Sequence, residues 1–459
     1  MESTRMESTM TDNETLQQLC ADLDGIEMST EDRALQRYSK DFSWFSPVLV
    51  EQLRGKQAEL VVKPASEEEV KRVAAACSRH RIPLTLRGSG TGNYGQSTPL
   101  HGGVLMDMSG LNRILWIKDG VARVQAGARL VDIDKAAREH GWELRLMPST
   151  YRLATAGGFF CGGFGGVGSI TYGSIGDPGN VLGVRALSMA EQPEAEELRG
   201  AEARDLYHAY GVNGLITELE FALAPALDWC ENLLSFPDFM QAVRFCQALG
   251  STCGTMKKLL TLLADPLPQM CGLEDRIPAG HTAVVAIVNR PGMDALHELR
   301  EKFGGQLVEE QSHAEVFGTT KSMIEHSWNH TTLHIFRKHK DITYLQSGFR
   351  PWENVEKVEQ MHHHFGEEVM LHLEFLRADG AVTCSGLQVI RYTSEERLND
   401  IIQFHRDNGV FVSNPHTYIL EDGGKLTVDP GQLAMKRRLD PQGLLNPGKM
   451  RTWDEEAAA

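Results

Sequence analysis

Apolar and polar positions organise the chain into short strands and amphipathic helices from about residue 59 onward. Residues 60–62 form a β-branched run, and the stretch after it has apolar residues at helical spacing. Ser66 and Glu69 form a capping-box pattern at the start of that helix. Residues 83–86 predict the next strand. The sequence therefore predicts a β-α-β unit whose helix buries Val70, Val73, Ala74 and Cys77.

The same kind of pattern continues to about residue 223. Residues 104–106 predict a strand, and the runs at 115–117 and 121–125 flank Asp119-Gly120, a strong hairpin signal. Leu130, Ile133 and Ala137 then follow at helical spacing, and residues 212–223 return to a strand pattern. These elements predict a mixed sheet with helices rather than a repeat protein.

The remainder of the chain differs in composition. Between about residues 227 and 416, strand-like runs at 281–288, 369–375 and 386–392 alternate with charged helical stretches, which predicts a second α+β domain. A helix follows from Pro430, with a coil at 444–450. The first 50 residues or so are mostly helical and polar, and they lead into an aromatic stretch at 42–45.

Composition and charge narrow the function classes. The chain has 459 residues, a net charge of −16, and 41% apolar and 24% charged residues. An acidic surface argues against nucleic acid and anionic membranes, because phosphate binding needs clustered Lys and Arg. No apolar run approaches the ~18–20 residues of a transmembrane helix. The N-terminus lacks a secretory pattern, and the scattered cysteines are typical of reduced thiols, so we expect a cytoplasmic protein.

A glycine-dense segment at 151–180 is the first candidate for ligand binding. Its glycines alternate with apolar residues such as Phe159, Phe160 and Phe164. A flexible linker would carry Ser, Pro and charges instead. The composition favours a packed segment on which a flat ligand approaches the backbone.

A second glycine-rich stretch, RGSGTGNYGQS at 87–97, follows directly on a predicted strand. Clustered glycines can place several backbone N–H groups around one anion, as in a pyrophosphate nest. A Rossmann dinucleotide site is the alternative, with Asp107 at a suitable distance. However, residues 93–103 show no helical periodicity, so we expect the loop amides rather than a helix N-terminus to hold the phosphate.

Taken together, these motifs resemble the flavin domain of the vanillyl-alcohol oxidase / p-cresol methylhydroxylase family, in its glycolate oxidase and D-lactate dehydrogenase branch. The matching strings occur in family order and form a specific combination. They are VKPASEEEV at 62–70, RGSGTG at 87–92, MDMS at 106–109, LNRI at 111–114, VQAG at 124–127, PST at 148–150, ATAGG at 154–158, GG at 162–163, YGVNGLITE at 210–218, and DP to PGK at 440–449.

The resemblance implies an α+β fold: a two-subdomain FAD-binding domain of the p-cresol methylhydroxylase (PCMH) type, covered by an α+β cap domain. It implies an N-terminal helical segment (1–53), the FAD-binding domain (54–226), the cap or substrate domain (227–425), and a C-terminal segment (426–459) that returns to the flavin. Loop 87–97 would bind the pyrophosphate of FAD, 148–163 would line the isoalloxazine and ribityl chain, and 177–181 with 213–217 would lie near the adenosine. The implied FAD-binding residues are Arg87, Gly88, Ser89, Gly90, Thr91, Gly92, Asn93, Gln96, Ser97, Pro148, Ser149, Thr150, Thr155, Gly157, Gly158, Gly162, Gly163, Ser169, Asn180, Val181, Gly214, Ile216 and Asn446.

Two departures from the family pattern shape further expectations. Residues 93–97 lack the histidine that often links a covalent flavin, and Cys161 is not where the cysteinyl link usually falls, so we expect non-covalent FAD. The chain also lacks a His-x-Gly-Asp-Gly-Asn string, so we expect no bound metal. That second departure also weakens the case for a simple 2-hydroxy acid as substrate.

Histidines of the second domain are candidates for the chemistry. His326, His330 and His334 recur every four residues and would share one helix face. That face could be a polar packing layer, a substrate-binding and proton-accepting surface, or, least of all, a metal site. We predict His330 as the proton acceptor, with His334 assisting. His416 and His372 are alternatives.

The predicted reaction is hydride transfer from a small alcohol or hydroxy acid to flavin N5, with Arg350 or Arg391 pairing with a carboxylate if the substrate has one. One alternative is oxidation of a phenolic or benzylic alcohol, with Tyr344, Tyr392 or Tyr418 near the phenolate. Another is a flavin-binding electron-transfer subunit of a larger complex. Oxygen, a quinone or a redox protein would accept the electrons, and the sequence leaves a homo-oligomer open.

Overall fold

The computed structural model describes residues 11–423 and 427–458, so the first ten residues of the predicted N-terminal segment lie outside it. The part up to residue 225 contains two sheets with their helices. Its elements are α1 (Asn13–Asp22), β1 (Glu27–Ser29), α2 (Asp32–Tyr38), α3 (Pro47–Gln52), β2 (Leu60–Lys63), α4 (Glu67–His80), β3 (Leu84–Arg87), β4 (Val104–Asp107), β5 (Ile114–Lys118), β6 (Val121–Gln125), α5 (Leu130–Glu139), β7 (Trp142–Leu144), α6 (Ala156–Gly162), α7 (Ser169–Tyr172), β8 (Val181–Leu187), β9 (Ala195–Arg199), α8 (Ala201–Arg204) and β10 (Leu215–Pro225).

The first sheet has the order β1-β2-β4-β3, and its predicted β-α-β unit is confirmed. The Oγ of Ser66 accepts a hydrogen bond from the backbone N–H of Glu69 at 3.2 Å. The Glu69 carboxylate in turn accepts from the N–H of Ala65 at 2.7 Å, which completes the cap. Strand β1 pairs with β2, so the N-terminal segment contributes a strand as well as helices and shares this sheet.

The second sheet has the order β5-β6-β10-β8-β9, with β7 also pairing with β10. The predicted hairpin joins β5 to β6, and its turn residues Asp119 and Gly120 have φ angles of +52° and +75°. Those left-handed angles are what a two-residue turn of this type requires. The glycine-dense segment packs against this sheet, because Phe159 and Phe160 belong to the same apolar core as Leu219.

The predicted α+β character of the second domain is confirmed. Its main sheet has eight strands in the order β14-β11-β13-β12-β18-β19-β16-β21, and a small sheet has the order β15-β20-β17. The elements are β11 (Trp229–Phe236), α9 (Phe239–Ser251), β12 (Lys257–Leu263), α10 (Leu267–Met270), β13 (Thr282–Asn289), α11 (Met293–Lys302), β14 (Gln306–Ser312), α12 (His313–Val316), α13 (Trp328–Lys338), β15 (Ile342–Tyr344), β16 (Gln346–Gly348), α14 (Asn354–Phe365), β17 (Val369–Met370), β18 (His372–Ala378), β19 (Ala381–Gly386), β20 (Val389–Arg391), α15 (Glu395–Asp407) and β21 (Phe411–Ser413).

The histidine-bearing helix is shorter than predicted. Helix α13 begins at Trp328, whereas His326 ends a separate 3₁₀ turn, Met323–His326. The expectation of a single helix face for all three histidines was therefore wrong. The reason is local: Ser327 is extended, and the backbone N–H of Trp328 donates to the buried carboxylate of Glu374 at 2.5 Å instead of continuing a helix.

The C-terminal segment returns to the first sheet. It contains α16 (Leu420–Gly423), α17 (Pro430–Leu439) and α18 (Arg451–Ala458). The backbone N–H of Leu84 in β3 donates to the carbonyl of Leu444 at 2.8 Å, and the N–H of Asn446 donates to the carbonyl of Leu84 at 2.9 Å. The segment thus lies beside the strand that leads into the glycine loop. Among the described residues, none of the helices has the length and apolarity that crossing a bilayer demands.

Candidate functional site

The glycine loop leaves the end of β3 in a conformation that depends on its glycines. Gly90 has φ +64°, in the left-handed region that side chains rarely adopt. A Cβ at Gly90 would overlap the guanidinium of Arg87, and one at Gly88 would overlap the hydroxyl of Thr155. The loop backbone therefore lies open to a ligand on one side and tightly against the segment at 154–163 on the other.

Lysine and asparagine from the C-terminal segment hold this loop in place. The Lys449 Nζ donates to the carbonyls of Gly95, Gln96 and Thr98 at 2.6, 2.8 and 2.8 Å. The side-chain amide of Asn446 donates to the carbonyl of Gln96 at 2.8 Å. Since Lys449 is fully buried, these three carbonyls face the protein interior, where the ammonium group satisfies them.

The glycine-dense segment supplies the opposite wall. Helix α6 begins after Thr155, whose Oγ1 accepts from the N–H of Gly158 at 3.3 Å. Gly157 lies so close to Ala126 that an added Cβ would be 2.9 Å from its methyl group. A second link runs between the two walls, because the Gln96 side-chain amide donates to the carbonyl of Gly162 at 2.9 Å. The structure thus contains the predicted packed segment rather than a flexible linker.

A large cavity of about 700 Å³ lies between the loop, α6 and the second domain. That volume falls within the range of cofactor and ligand sites. Its lining includes most of the predicted FAD-binding residues: Arg87, Gly88, Ser89, Gly90, Thr91, Gly92, Asn93, Gln96, Ser97, Pro148, Thr150, Thr155, Gly157, Gly158, Gly162, Gly163 and Ile216.

Three residues that line this cavity carry a buried polar atom without a protein hydrogen bond. The Nδ2 of Asn93, the Oε1 of Gln96 and the hydroxyl of Tyr207 are buried and lack a protein hydrogen bond, and all three residues line the cavity. Buried polar groups are normally satisfied, so a group of orphans marks a place where a polar ligand binds. Together with the glycine cradle, these atoms fit the pyrophosphate and sugar hydroxyls of FAD.

Six predicted FAD-binding residues lie behind the cavity lining rather than in it: Ser149, Ser169, Asn180, Val181, Gly214 and Asn446. Several of them hold the backbone of the lining in place. Asn180 donates to the carbonyls of Tyr172 and Ser174 at 2.9 and 2.7 Å, and Asn446 donates to that of Tyr210 at 2.7 Å. Their direct contact with FAD stays a prediction.

One side of the large cavity is an aromatic wall that the sequence did not predict. Tyr94, Tyr207, His208 and Tyr210 all line the large cavity. His208 and Tyr210 have φ angles of +51° and +54°, and the Nδ1–H of His208 donates to the carbonyl of Gly163 at 3.0 Å. Left-handed non-glycine residues leave no sequence signature. The one sequence signal near this wall is the YGVNG string, which begins at Tyr210.

A second, smaller cavity of about 270 Å³ adjoins the first. The two share Thr91, Asn93, Thr150 and Asn329 in their linings. The other residues of the second cavity are Phe42, Phe45, Arg152, Leu153, His330 and Leu333. Of the predicted catalytic residues, His330 is thus the one that lines a cavity joined to the candidate FAD site.

The histidines near this cavity surround one carboxylate. The Oε2 of Glu325 lies 3.4 Å from the Nδ1 of His330, and its Oε1 accepts from the guanidinium of Arg152 at 2.7 Å. Burial raises the pKa of Glu325, but the hydrogen bond and charge of His330 and the charge of Arg152 outweigh it and hold the pKa below its usual value. Burial, with the charges of His330 and Arg337, lowers the pKa of His334.

The rings of the three histidines still cluster, although they lie on two elements. The His326 ring is centred 5.8 Å from that of His334, and the His330 ring 6.4 Å from it. Burial, with the charge of Arg276, lowers the pKa of His326 to about 4. Polar atoms without a partner concentrate here. They are His326 Nδ1, Trp328 Nε1, Asn329 Oδ1, Thr331 Oγ1, Thr332 Oγ1 and His334 Nε2.

The other two predicted catalytic residues lie elsewhere. His416 is buried away from both cavity linings, with Nε2–H donating to the carbonyl of Tyr344 at 2.8 Å and Nδ1 accepting from the hydroxyl of Ser46 at 2.7 Å. Both of its ring nitrogens are therefore engaged by protein. Arg350 is exposed and lines neither cavity. Arg391 is also exposed and lies near the carboxylate of Glu367.

Cys161 lines the large cavity as a neutral thiol. Burial raises its pKa to about 12. A thiolate is the reactive form of cysteine, so this environment disfavours a cysteinyl link to the flavin.

Comparison with known proteins agrees with this geometry. Residues 58–191 match the family described as an FAD-binding domain. An uncharacterised FAD-linked oxidoreductase of Mycobacterium tuberculosis is 32% identical over 195 residues, which cover 39% of this chain and 41% of that protein. The glycolate oxidase subunit GlcD of Bacillus subtilis is 28% identical over 40% of each chain, and a D-lactate dehydrogenase of Anaerostipes hadrus is 30% identical over 37% of each.

These matches span only about two fifths of the length of the relatives. The fold likeness extends further. A solved structure of alkyldihydroxyacetonephosphate synthase superposes with a TM-score of 0.73 and 14% identity, covering 96% of this chain and 87% of that one. The sequence motifs, the cavity and the matched domain lead to one conclusion: residues 58–191 belong to an FAD-binding domain similar to that of known FAD-linked oxidoreductases, and the cofactor is FAD.

Proposed function

We propose that this oxidoreductase oxidises the CH–OH group of a small alcohol or hydroxy acid in the second cavity. The observation that carries the proposal is the position of His330, which lines a cavity continuous with the candidate FAD site. The family resemblance supports it, since residues 148–163 would line the isoalloxazine, and Thr150, Arg152 and Leu153 of that stretch line the second cavity. The named activities of GlcD and D-lactate dehydrogenase are consistent with such a substrate.

Bound FAD supplies the hydride acceptor, its N5 atom. The protein residues must then orient the substrate and take the hydroxyl proton. In the proposed arrangement, the Nδ1 of His330 faces Glu325, and the structure gives its Nε2 no protein hydrogen bond among the described residues. That nitrogen is left to accept the substrate proton, and the neighbouring carboxylate stabilises the imidazolium that results.

The geometry favours His330 over the alternative residues as the proton acceptor. His416 has both nitrogens bonded to protein, and His334 is not part of the cavity lining. Tyr344, Tyr392 and Tyr418 line neither cavity, so the tyrosines considered for a phenolic substrate lack access to it.

The experiment is single-turnover flavin reduction without oxygen, followed at the flavin absorbance, with a panel of small alcohols and hydroxy acids. His330→Ala should slow reduction by the best substrate by ~10²–10⁴-fold, the usual loss with a general base, while flavin content stays unchanged. His363→Ala, at an exposed histidine, is the control and should react like the parent. If His330→Ala is reduced at the parent's rate, His330 is not the proton acceptor.

A second candidate function is a flavin-bearing subunit that passes electrons to a partner protein. It is favoured by the name of a matched relative, which is a subunit of glycolate oxidase. Turnover of the purified chain with oxygen, a quinone analogue and an artificial dye distinguishes the two. Turnover with dye alone favours the subunit, and turnover with oxygen or quinone favours a self-sufficient enzyme.

A further inference from the structure

The wall of the second cavity is mostly apolar and aromatic. Phe42, Phe45, Leu153 and Leu333 supply its apolar side chains. The cavity volume of about 270 Å³ exceeds the ~150 Å³ of the engineered lysozyme cavity that binds benzene. Glycolate has no apolar group and lactate only a methyl, so neither would fill this space.

Part of this wall comes from the N-terminal segment, and it is held rigidly. Phe45 is 2% exposed, and its ring stacks on that of Phe336 at 4.8 Å and meets the ring of Tyr344 edge-on at 5.7 Å. Phe42 packs edge-on against Phe45 at 5.9 Å. Because these rings are fixed by each other, the apolar wall is preformed rather than assembled by a ligand.

A cationic side chain, the guanidinium of Arg152, also lines this cavity. The guanidinium of Arg152 gives one hydrogen bond, from Nη2 to Glu325, and its side chain is 29% exposed. Within the described part of the chain, its Nε and second Nη donate to no protein group. Arginine presents its donors in a planar fork that matches a carboxylate, so these free donors suit an acid function on the substrate.

The geometry points to a substrate that is a 2-hydroxy acid with an apolar side group about the size of a phenyl ring or a branched alkyl chain. The carboxylate pairs with Arg152, the hydroxyl faces His330, and the side group lies against Phe42, Phe45 and the two leucines. This inference rests on the proposed function. In the reaction, the α C–H bond breaks and its electron pair leaves as hydride to FAD, the hydroxyl proton passes to His330, and a 2-oxo acid is released.

Binding of an unreactive acid tests the site without turnover. Calorimetric titration of the FAD-loaded protein with phenylacetate and with acetate should show phenylacetate binding at least about tenfold more tightly, since apolar groups give that discrimination in fitted pockets. Equal affinities, or no phenylacetate binding, would overturn the inference.

Substitutions locate the binding. Arg152→Gln should weaken phenylacetate binding at least about tenfold, because a charge-assisted pair is lost, and Arg152→Lys should weaken it less. Arg350→Gln, at an exposed arginine away from the cavity, should leave it unchanged. Phe42→Ala and Leu153→Ala should each reduce the preference for phenylacetate over acetate. Flavin content and melting temperature verify that each variant is folded, and an unchanged Kd in folded Arg152→Gln excludes Arg152 and contradicts the inference.

Reduction rates separate this inference from the proposed function. The flavin should be reduced faster by mandelate or 3-phenyllactate than by glycolate at equal concentration. If phenylacetate binds as expected but none of the acids reduces the flavin, the cavity assignment stands and the proposed oxidation fails. If glycolate reduces the flavin fastest and phenylacetate does not bind, the oxidation stands and this inference fails.

Discussion

At the scale of single residues, the backbone angle of Gly90 decides whether the loop can receive a phosphate. We expect Gly90→Val to lower FAD affinity at least about a hundredfold, because a β-branched residue resists the left-handed backbone angle and its Cβ would overlap the guanidinium of Arg87. Displacing that guanidinium and the loop amides would cost charge-assisted hydrogen bonds worth ~1.5–3 kcal/mol each. Gly141→Val is the matched control. Gly141 has φ +78° and nothing within 4 Å of an added Cβ, so it carries similar strain away from the cavity. Equal flavin content in the Gly90 variant and its parent would refute the role of the loop.

The chemistry of residues near the flavin also predicts how it is attached. We expect FAD to be bound non-covalently, because the loop at 93–97 has no histidine and the thiol of Cys161 has its pKa raised to about 12. Acid precipitation should leave the yellow colour in the supernatant, and the released cofactor should migrate as FAD. Colour that stays with the protein pellet would instead indicate a link through Cys161 or His208, which also lines the cavity.

Individual positions differ in how far the sequence could place them. The conformation of the loop at 87–97 was predictable, because glycines directly after a strand favour left-handed angles such as that of Gly90. Its contact with the FAD pyrophosphate stays a prediction. Phe42, Phe45 and Arg152 could not be assigned to a substrate cavity, since their roles depend on contacts between segments more than 100 residues apart, such as the Arg152–Glu325 pair. His416 looked catalytic by type, and only its two hydrogen bonds reveal its packing role.

At the scale of elements, His416 joins three of them: the cap of α3 through Ser46, the end of β15 through Tyr344, and its own loop. Burial lowers its pKa to about 4 from 6.5. As the pH falls below 6.5, the unfolded chain takes up this proton before the folded chain does, so stability falls. Between pH 6.5 and 5 this contribution amounts to about 2 kcal/mol.

We therefore expect urea unfolding of His416→Gln to lose about 2 kcal/mol less than the parent on going from pH 7 to pH 5, since glutamine can keep both hydrogen bonds but does not titrate. His140→Gln, at an exposed histidine, should keep the parent's pH dependence. Identical losses in His416→Gln and the parent would mean that His416 is not the buried neutral ring described above.

Element boundaries were predictable where the signals are local. The capping box at Ser66 and the Asp119-Gly120 turn were confirmed. The start of α13 was not, because the residue that determines it, Glu374, lies on β18 and binds the N–H of Trp328 from across the domain. Side chains from another element can override helical spacing when they take the N–H that would begin a further turn.

At the scale of the whole molecule, the C-terminal segment supports the glycine loop of the candidate FAD site. Lys449→Met keeps the side-chain stem but removes the ammonium donor from three loop carbonyls, and among the described residues the carbonyl of Thr98 has no other donor. We expect FAD affinity to fall at least about tenfold, since each unsatisfied buried group costs ~1–3 kcal/mol. Lys118→Met, at an exposed lysine, is the control. Reconstitution of the apoprotein with FAD, followed by fluorescence, measures the difference, and equal affinities would show that the loop holds its shape unaided.

Lys449 contacts Gly95 across 354 residues, so during synthesis the lysine is added long after the loop that it supports. A ribosome adding 5–20 residues per second needs about 20–70 s to travel from the glycine loop to the lysine that steadies it. During that interval the nascent chain carries the phosphate-binding sequence without its support. Until Lys449 has been added, the loop lacks these three hydrogen bonds, and we expect the nascent chain to bind FAD more weakly than the finished protein.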